Sequence, residues 1–465
     1  MTSNNPAFQI IQGGMGVGTS SARLANTISR AGELGVVSGT ALDESIARRL
    51  QKGDSETKHA VEQFPHKDFV ERFLAKYWNE KGKGKEIPFR LTPMINPDTP
   101  QDKMAFVTIG NFAEVFLAKK GHSNPVGINY LEKIQTPHLA SIYGAMLARV
   151  DYIIMGAGIP DQVPRVLDAY ANGSGAIYNI DVKGLENNKF PMQFSPKEVF
   201  GIQHELERPQ FFPIITLDVL AMRFEKKIGG ADGYVIERHI AGGHNTPPRG
   251  KGEEYTEKDE ANLEKISAYG KPFFLAGGFG KRGGLKEALG KGASGIQIGS
   301  LFALSEESGI ETKIKAQLIE ELKKGNILVE TDFRSSPTGF PFKVARINGT
   351  ISESDFYEKR PRICDAGYLR HFKINDKGRI IGLCPSEPIN SYLAKGGSVE
   401  DTNGRKCLCN GLFATIRMPQ IKKDGYIEPP LLTLGDEVNN AKDLLNSIKD
   451  GETSYPALAV LEYVR

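Results

Sequence analysis

The chain has 465 residues, more than one domain usually holds, so we expect either one large domain with additions or two domains. Hydrophobic residues make up 40% and charged residues 25%, values that exclude a mostly disordered chain. The 59 basic and 56 acidic residues leave a net charge of +3, without the basic run typical of nucleic-acid binders. The apolar stretches are too short for a membrane span and the N-terminus lacks a secretory pattern, which predicts a cytoplasmic protein.

Short β-branched runs alternate with helical patterns over about the first 330 residues. The predicted strands cover residues 8–12, 36–38, 126–129, 152–155, 212–216, 233–237, 272–275 and 295–298. Helices are predicted over residues 20–31, 43–50, 138–150, 218–228, 259–269 and 284–289, with a further helix after Pro160. Ser20 is the predicted N-cap of the first helix, because its hydroxyl can accept a hydrogen bond from a free backbone N–H.

Eight strands, nearly all followed by a helix, predict right-handed βαβ units and a parallel sheet covered on both faces. Eight such units match an α/β fold of the (β/α)8 TIM barrel class, here with insertions and a C-terminal extension. The alternative is an open doubly wound sheet, suggested by the spacing Gly14-x-Gly16-x-Gly18 between a strand and a helix. That fingerprint also requires an acidic residue after the second strand, where the sequence reads SGT at 38–40, so the barrel is favoured.

The alternation is interrupted twice and then stops. A charged stretch near residues 52–110 predicts a helical insertion that leaves the barrel. Residues 173–210 predict a second insertion, a hairpin with a loop. We expect residues 1–330 to form the barrel with these two insertions. Residues 331–465 contain a cluster of prolines and all four cysteines, so we expect them to form an extension packed on the barrel.

Two glycine turns mark the ends of the seventh and eighth predicted strands. Gly277 and Gly278 follow the seventh strand, and Gly299 and Ser300 follow the eighth. Barrels often bind phosphate after these two strands. Glycine lets backbone N–H groups approach phosphate oxygens without a Cβ in the way. The pattern predicts a phosphate site, and the alternative is that the glycines only form tight turns.

A histidine behind a glycine pair follows the sixth predicted strand, in the sequence AGGH at 241–244. A barrel places its catalytic groups at the carboxyl ends of its strands. Imidazole titrates near neutral pH, which suits general acid or base catalysis. His244 is therefore the predicted catalytic residue. His239, which alternates with Glu237 along the strand, is expected to fill the barrel interior.

Several motifs together resemble the nitronate monooxygenase family, formerly called 2-nitropropane dioxygenases. They are IIQGGMGVGTS near the N-terminus, AGGH at 241–244, AGGF at 276–279 and GIQIGS at 295–300. Flavin-containing enoyl-acyl-carrier-protein reductases are close relatives within this resemblance. The motifs SPTGFPFK, CDAGYLR and RKCLCNGL of the C-terminal region resemble a longer branch of the same family.

The resemblance implies a barrel that holds FMN without a covalent bond. The implied phosphate contacts are Gly277, Gly278, Gln297, Gly299 and Ser300. The other implied flavin contacts are Gly13, Gly14 and Met15 at the isoalloxazine ring, with Asn129, Glu237 and Gly242. His244 matches the histidine that faces the substrate beside the flavin. The implied reaction is oxidation of an alkyl nitronate, which His244 deprotonates or positions, with oxygen as the terminal electron acceptor.

Departures from the family pattern leave the substrate open. Glu237 stands where relatives often have glutamine, and the fourth strand runs into GAGIP at 156–160, as in the enoyl reductases. A second hypothesis is therefore an NAD(P)H- and FMN-dependent reductase of an enoyl thioester, with an acyl carrier protein as partner. A third is a barrel that binds a phosphate-bearing ligand without catalysis. The expected partner is otherwise a small-molecule substrate, in a monomer or a homodimer.

The cysteines Cys364, Cys384, Cys407 and Cys409 form a weak metal-binding pattern. Zinc and iron–sulfur sites more often use Cys-x2-Cys pairs than the Cys-x-Cys spacing found here. We therefore predict four reduced thiols and no bound metal, with a four-thiolate site as the alternative.

Overall fold

The computed structural model describes residues 6–202, 204–250, 252–448 and 454–465. Eight parallel strands close into a barrel in which each strand pairs with its neighbours along the chain and the last pairs with the first. They are β1 Ile10–Gln12, β2 Leu34–Ser38, β3 Val126–Leu131, β4 Tyr152–Gly156, β5 Gln210–Ile215, β6 Tyr234–Glu237, β7 Phe273–Ala276 and β8 Gly295–Ile298. The predicted (β/α)8 TIM barrel is confirmed, and closure of the sheet excludes the open doubly wound alternative.

Apolar side chains fill the interior of the barrel. Phe8 packs against Tyr152 of β4 and Phe274 of β7, with ring centroids 5.2 and 5.4 Å away. Two strands separate β4 from β7 in the barrel, so Phe8 reaches across its N-terminal end. Branched and aromatic side chains from the strands continue this buried cluster. The interior is therefore a packed core, and a ligand site is expected at the carboxyl end.

Helices surround the barrel. Those between the strands are Ala22–Arg30, Leu42–Gln51, Ala105–Ala118, His138–Leu147, Val163–Ala171, Asp218–Arg223, Leu263–Ser267 and Gly284–Gly290. The predicted N-cap of the first helix is wrong: Ser21 accepts the hydrogen bond from the Leu24 N–H, whereas Ser20 bonds to the loop after β1. The helix predicted over 259–269 covers only Leu263–Ser267, because the Asp259 carboxylate accepts from the Thr256 N–H in a preceding turn.

Two insertions leave the barrel. The helices Ser55–Glu62 and Lys67–Tyr77 and the 3-10 turn Gln101–Met104 lie between the second and third strands. The strands Ala176–Lys183 and Lys189–Phe194 form an antiparallel hairpin after the fourth. This hairpin joins a four-stranded sheet with two strands of the extension, His371–Ile374 and Ile380–Leu383.

The C-terminal region returns across the barrel. Its other strands, Leu328–Asp332 and Phe342–Arg346, pair antiparallel. Its helices are Ser354–Lys359, Ile389–Ala394, Val399–Thr402, Leu408–Thr415, Asn440–Ile448 and Ala457–Val464, after the helices Ser300–Ala303 and Thr312–Lys324 that follow the last barrel strand. The chain end is tied to the barrel by an ion pair between Arg465 and Glu33, 2.6 Å apart. Among the described residues, no helix has both the length and the apolar character needed to cross a membrane.

Candidate active site

A cavity of about 220 Å³ lies at the carboxyl ends of the barrel strands. Almost every residue predicted to contact flavin or substrate lines it. These are Gly13, Gly14, Met15, Asn129, Glu237, Gly242, His244, Gly277, Gln297, Gly299 and Ser300. Gly278 is the exception, and it lies directly beside the cavity wall. Residues spread over nearly 300 positions of the chain are thus brought to one place by the closed barrel.

The loop after β1 forms one wall and is held by hydrogen bonds. The Ser20 hydroxyl donates to the carbonyl of Gly13, and the Asn129 amide donates to the carbonyl of Gly14 over 2.8 Å. A Cβ at Gly14 would lie 2.3 Å from the Cβ of Asn129, so only glycine fits there. This close approach keeps the backbone of the loop against the cavity.

Two amide side chains in this wall lack a complete set of partners. The Oδ1 atom of Asn129 and the Oε1 atom of Gln297 are buried without a hydrogen bond to any residue that the structure describes. A buried polar atom without a partner costs free energy, so such atoms usually mark a site where another group binds.

His244 is held between the barrel and the extension. The strand residue Phe342 pairs with it in an antiparallel bridge, and the Phe342 ring packs edge-on at 4.8 Å. Its Nε2 atom lies 2.7 Å from the Ser336 hydroxyl oxygen. Burial lowers the pKa of His244 to about 4, and the nearby charge of Lys133 acts in the same direction. The imidazole is therefore neutral at pH 7, with Nδ1 lacking a partner among the described residues.

Glu237 ends β6 with its carboxyl group in the cavity wall. Burial raises its pKa to about 8, with no neighbouring charge contributing. The group is therefore mainly protonated at pH 7 and can donate a hydrogen bond to a ligand. Glu237 also lines a small adjacent pocket with His239. His239 does not fill the barrel as predicted, because the strand ends before it and its ring stacks on Tyr255 at 4.2 Å.

The predicted phosphate site contains a carboxylate from the extension. Gly277 and Gly278 have positive φ angles of 75° and 101°, as a glycine turn requires. The N–H groups of Gly278 and Gly280 donate to Oε2 of Glu437 over 2.7 and 3.4 Å. The N–H groups of the loop after β7 thus bind a carboxyl group of this chain, and binding of phosphate there stays a prediction.

The extension also supplies the outer wall of the cavity, which the sequence analysis did not find. Its lining residues there are Phe342, Tyr368, Leu369, Leu408, Cys409 and Leu412. All six lie in the motifs SPTGFPFK, CDAGYLR and RKCLCNGL, so the motifs that carry the family resemblance were the available signal. This wall is mainly apolar.

The four cysteines are free thiols. Cys384 and Cys407 are buried, whereas Cys364 and Cys409 are partly exposed. Within the described ranges, no group of three or more His, Cys, Asp or Glu side chains is arranged to hold a metal ion. Cys409 instead contributes to the cavity wall. Burial raises the pKa of its thiol, although backbone N–H groups of Leu369 and Tyr368 oppose the shift.

The family model of nitronate monooxygenase matches residues 191–341. This part of the chain is similar to the nitronate monooxygenase family. The matched stretch contains AGGH at 241–244, AGGF at 276–279 and GIQIGS at 295–300, three of the four barrel motifs on which the resemblance rests. It therefore includes β5 to β8 and both glycine turns of the predicted phosphate site.

A curated relative is a 5-hydroxy-7a-methyl-1-oxo-octahydro-indene-carboxyl-CoA dehydrogenase from Mycobacterium tuberculosis. It is 25% identical over 135 residues, which are 29% of this chain and 35% of that protein. The match thus spans about a third of that relative's length. Similar solved structures include FabK from Thermotoga maritima (TM-score 0.49, 15% identity, 98% of this chain and 91% of that one). Another is nitroalkane oxidase from Streptomyces ansochromogenes (TM-score 0.47, 14% identity, 99% and 96%).

Proposed function

We propose that this chain is an FMN-dependent oxidoreductase that oxidises alkyl nitronates, or similar carbanion-stabilised substrates, with oxygen as the electron acceptor. One observation carries the proposal. His244, the anion-binding turn after β7 and the glycine loop after β1 all border the same cavity. This is the arrangement that a flavin between the loops and a substrate beside His244 would need.

The residues present fit FMN. The unpartnered oxygens of Asn129 and Gln297 offer acceptors to the N–H of a flavin ring. The N–H groups of Gly278 and Gly280 already bind a carboxylate oxygen, and a phosphate oxygen needs the same donors. Bound FMN would supply the redox chemistry, taking electrons from the substrate and passing them to oxygen, while the protein supplies position and electrostatics.

His244 would hold the substrate and manage its proton. A neutral imidazole with Nδ1 free can accept a hydrogen bond or a proton at that atom. The positive charge of Lys133 is close enough to influence His244, and it would favour an anionic substrate such as a nitronate. The apolar side chains of Phe342, Leu369 and Leu408 suit a short alkyl group and exclude water from it.

A second candidate is the NAD(P)H-dependent reduction of an enoyl thioester. One observation favours it: Gly156 and Ala157 of the GAGIP sequence line the same cavity. Under this alternative the cavity would admit a nicotinamide and the end of an acyl carrier arm in turn.

Anaerobic flavin spectra distinguish these candidates. The protein reconstituted with FMN is mixed with ethyl nitronate, or separately with NADH and NADPH, and the flavin absorbance is followed. Bleaching by the nitronate that is reversed by air supports the proposed function. Bleaching by a reduced nicotinamide alone supports the enoyl reductase. FMN binding with neither response contradicts both, and failure to bind FMN favours a barrel that binds another phosphate-bearing ligand.

A further inference from the structure

Glu437 lies where the phosphate of the proposed cofactor would bind. Its Oε2 atom accepts hydrogen bonds from the Gly278 and Gly280 N–H groups, the first at 2.7 Å. Burial raises the pKa of Glu437, while the positive charges of Lys281 and Arg238 and both N–H groups oppose the shift. The turn after β7 is therefore a site with several features that attract an anion.

The backbone around Glu437 is docked by contacts that do not involve its side chain. The Gly435 N–H donates to the Ser300 hydroxyl over 2.7 Å, and the Asp436 N–H donates to the carbonyl of Ile240 over 3.0 Å. The Asn440 amide donates to the carbonyl of Gly280 over 2.8 Å. A rotation of the Glu437 side chain can thus empty the anion turn while the extension stays in place.

A second anion cannot share this turn with Glu437. The two N–H groups both point at one carboxylate oxygen, so an incoming phosphate oxygen needs the same donors. A phosphate and the Glu437 carboxylate bound to the same N–H groups would also repel each other strongly, because the site is partly buried.

We propose that Glu437 is a specificity-determining residue for the cofactor, because its carboxylate and the cofactor phosphate are alternative occupants of the turn at Gly278 and Gly280. The inference rests on the proposed function. Flavin that carries a 5′-phosphate displaces Glu437 on binding, whereas riboflavin, which lacks the phosphate, leaves it in place. If the turn is free of Glu437 one-tenth of the time, the affinity for FMN is reduced about tenfold.

Flavin titrations of the apoprotein test this competition. Dissociation constants for FMN and riboflavin are measured by flavin fluorescence on the wild type, Glu437→Ala and Glu437→Gln. Asp443→Ala is the matched control, since it removes an exposed carboxylate from the adjoining helix Asn440–Ile448. We expect Glu437→Ala to bind FMN about tenfold more tightly and riboflavin unchanged. Glu437→Gln should have an intermediate effect because it loses the charge but keeps an acceptor.

An FMN-to-riboflavin affinity ratio that is the same in the wild type and in both Glu437 variants overturns the proposal. Thermal unfolding with inorganic phosphate separates this result from a failure of the proposed function. If no form of the protein binds flavin but phosphate stabilises Glu437→Ala more than the wild type, the competition stands and the flavin assignment fails. If phosphate stabilises both equally, the competition is wrong as well.

Discussion

The imidazole of His244 and the hydroxyl of Ser336 are joined by a 2.7 Å hydrogen bond that links a barrel loop to the C-terminal extension. The two residues that flank His244 also bind the extension through their backbones. The Lys343 N–H donates to the carbonyl of Gly243, and the Asn245 N–H donates to the carbonyl of Pro341. The orientation of the predicted catalytic residue is therefore set by the extension. The extension is therefore part of the candidate active site.

Ser336→Ala is expected to lower kcat/KM for the nitronate about fivefold, because a neutral hydrogen bond contributes about 1 kcal/mol to holding the imidazole. Steady-state kinetics measure this effect. Ser335→Ala is the matched control, since this neighbouring hydroxyl is buried without a partner in the described part of the chain, and its loss should leave kcat/KM unchanged. Equal losses in the two variants would indicate a general disturbance of the turn.

His244→Ala is expected to keep bound flavin and to lose turnover about a hundredfold or more, the usual contribution of a positioned general base. Burial lowers the pKa of His244 to about 4, so the imidazole of the wild type stays neutral well into the acid range. The wild-type kcat/KM should therefore fall only as the pH approaches 4. An imidazole with the ordinary histidine pKa of 6.5 would instead cause the fall near pH 6.5. His239→Ala, outside the cavity, is the control, and unchanged turnover in His244→Ala would remove its catalytic role.

Glu237→Gln is expected to change how stability depends on pH. Burial raises the pKa of Glu237 from 4.5 to about 8, so the folded protein keeps a proton that the unfolded chain releases. The free energy of unfolding contributed by this group should fall as the pH rises from 4.5 to 8, by at most about 1.4 kcal/mol per pH unit. The glutamine side chain of Glu237→Gln does not ionise, so the variant lacks this contribution to the pH dependence of stability.

Thermal midpoints at pH 5 and pH 8 measure the effect of Glu237. The stability of Glu237→Gln relative to the wild type should increase between the two pH values. Glu254→Gln, which changes an exposed carboxylate, should follow the wild type. Parallel pH profiles for all three proteins would show that Glu237 is not held in its protonated form.

Gly14→Ala is expected to destabilise the fold by about 1–3 kcal/mol, the usual cost of overpacking, and to abolish flavin binding. The new Cβ would lie 2.3 Å from Asn129 Cβ and displace the loop after β1. Gly290→Ala is the control, because nothing lies within 4 Å of its Cβ at the end of a helix. Calorimetry and flavin titration measure the two effects. A Gly14 variant that binds FMN normally would show that this loop does not contact the ring.

The sequence contained enough to predict the barrel. Eight β-branched runs separated by helical patterns admit few parallel topologies, and right-handed crossovers restrict these further. Catalytic and phosphate-binding groups in a barrel lie at strand ends, so the position of His244 and Gly277 beside the cavity could be predicted from the sequence, while their roles stay predictions. The local errors, at Ser20 and at the helix over 259–269, arose where hydrogen bonds of the preceding turn or loop engaged side chains that were expected to begin a helix.

The contribution of the extension was decided only by the tertiary structure. Ser336 contacts His244 and Glu437 contacts Gly278, pairs that are at least 92 positions apart in the chain, and Cys409 and Glu437 line the cavity. No periodicity or spacing encodes such pairs, because they depend on how the returning chain packs on an already closed barrel. The barrel and its site positions are thus readable from local patterns, whereas the carboxylate in the phosphate turn and the partner of His244 follow from long-range packing.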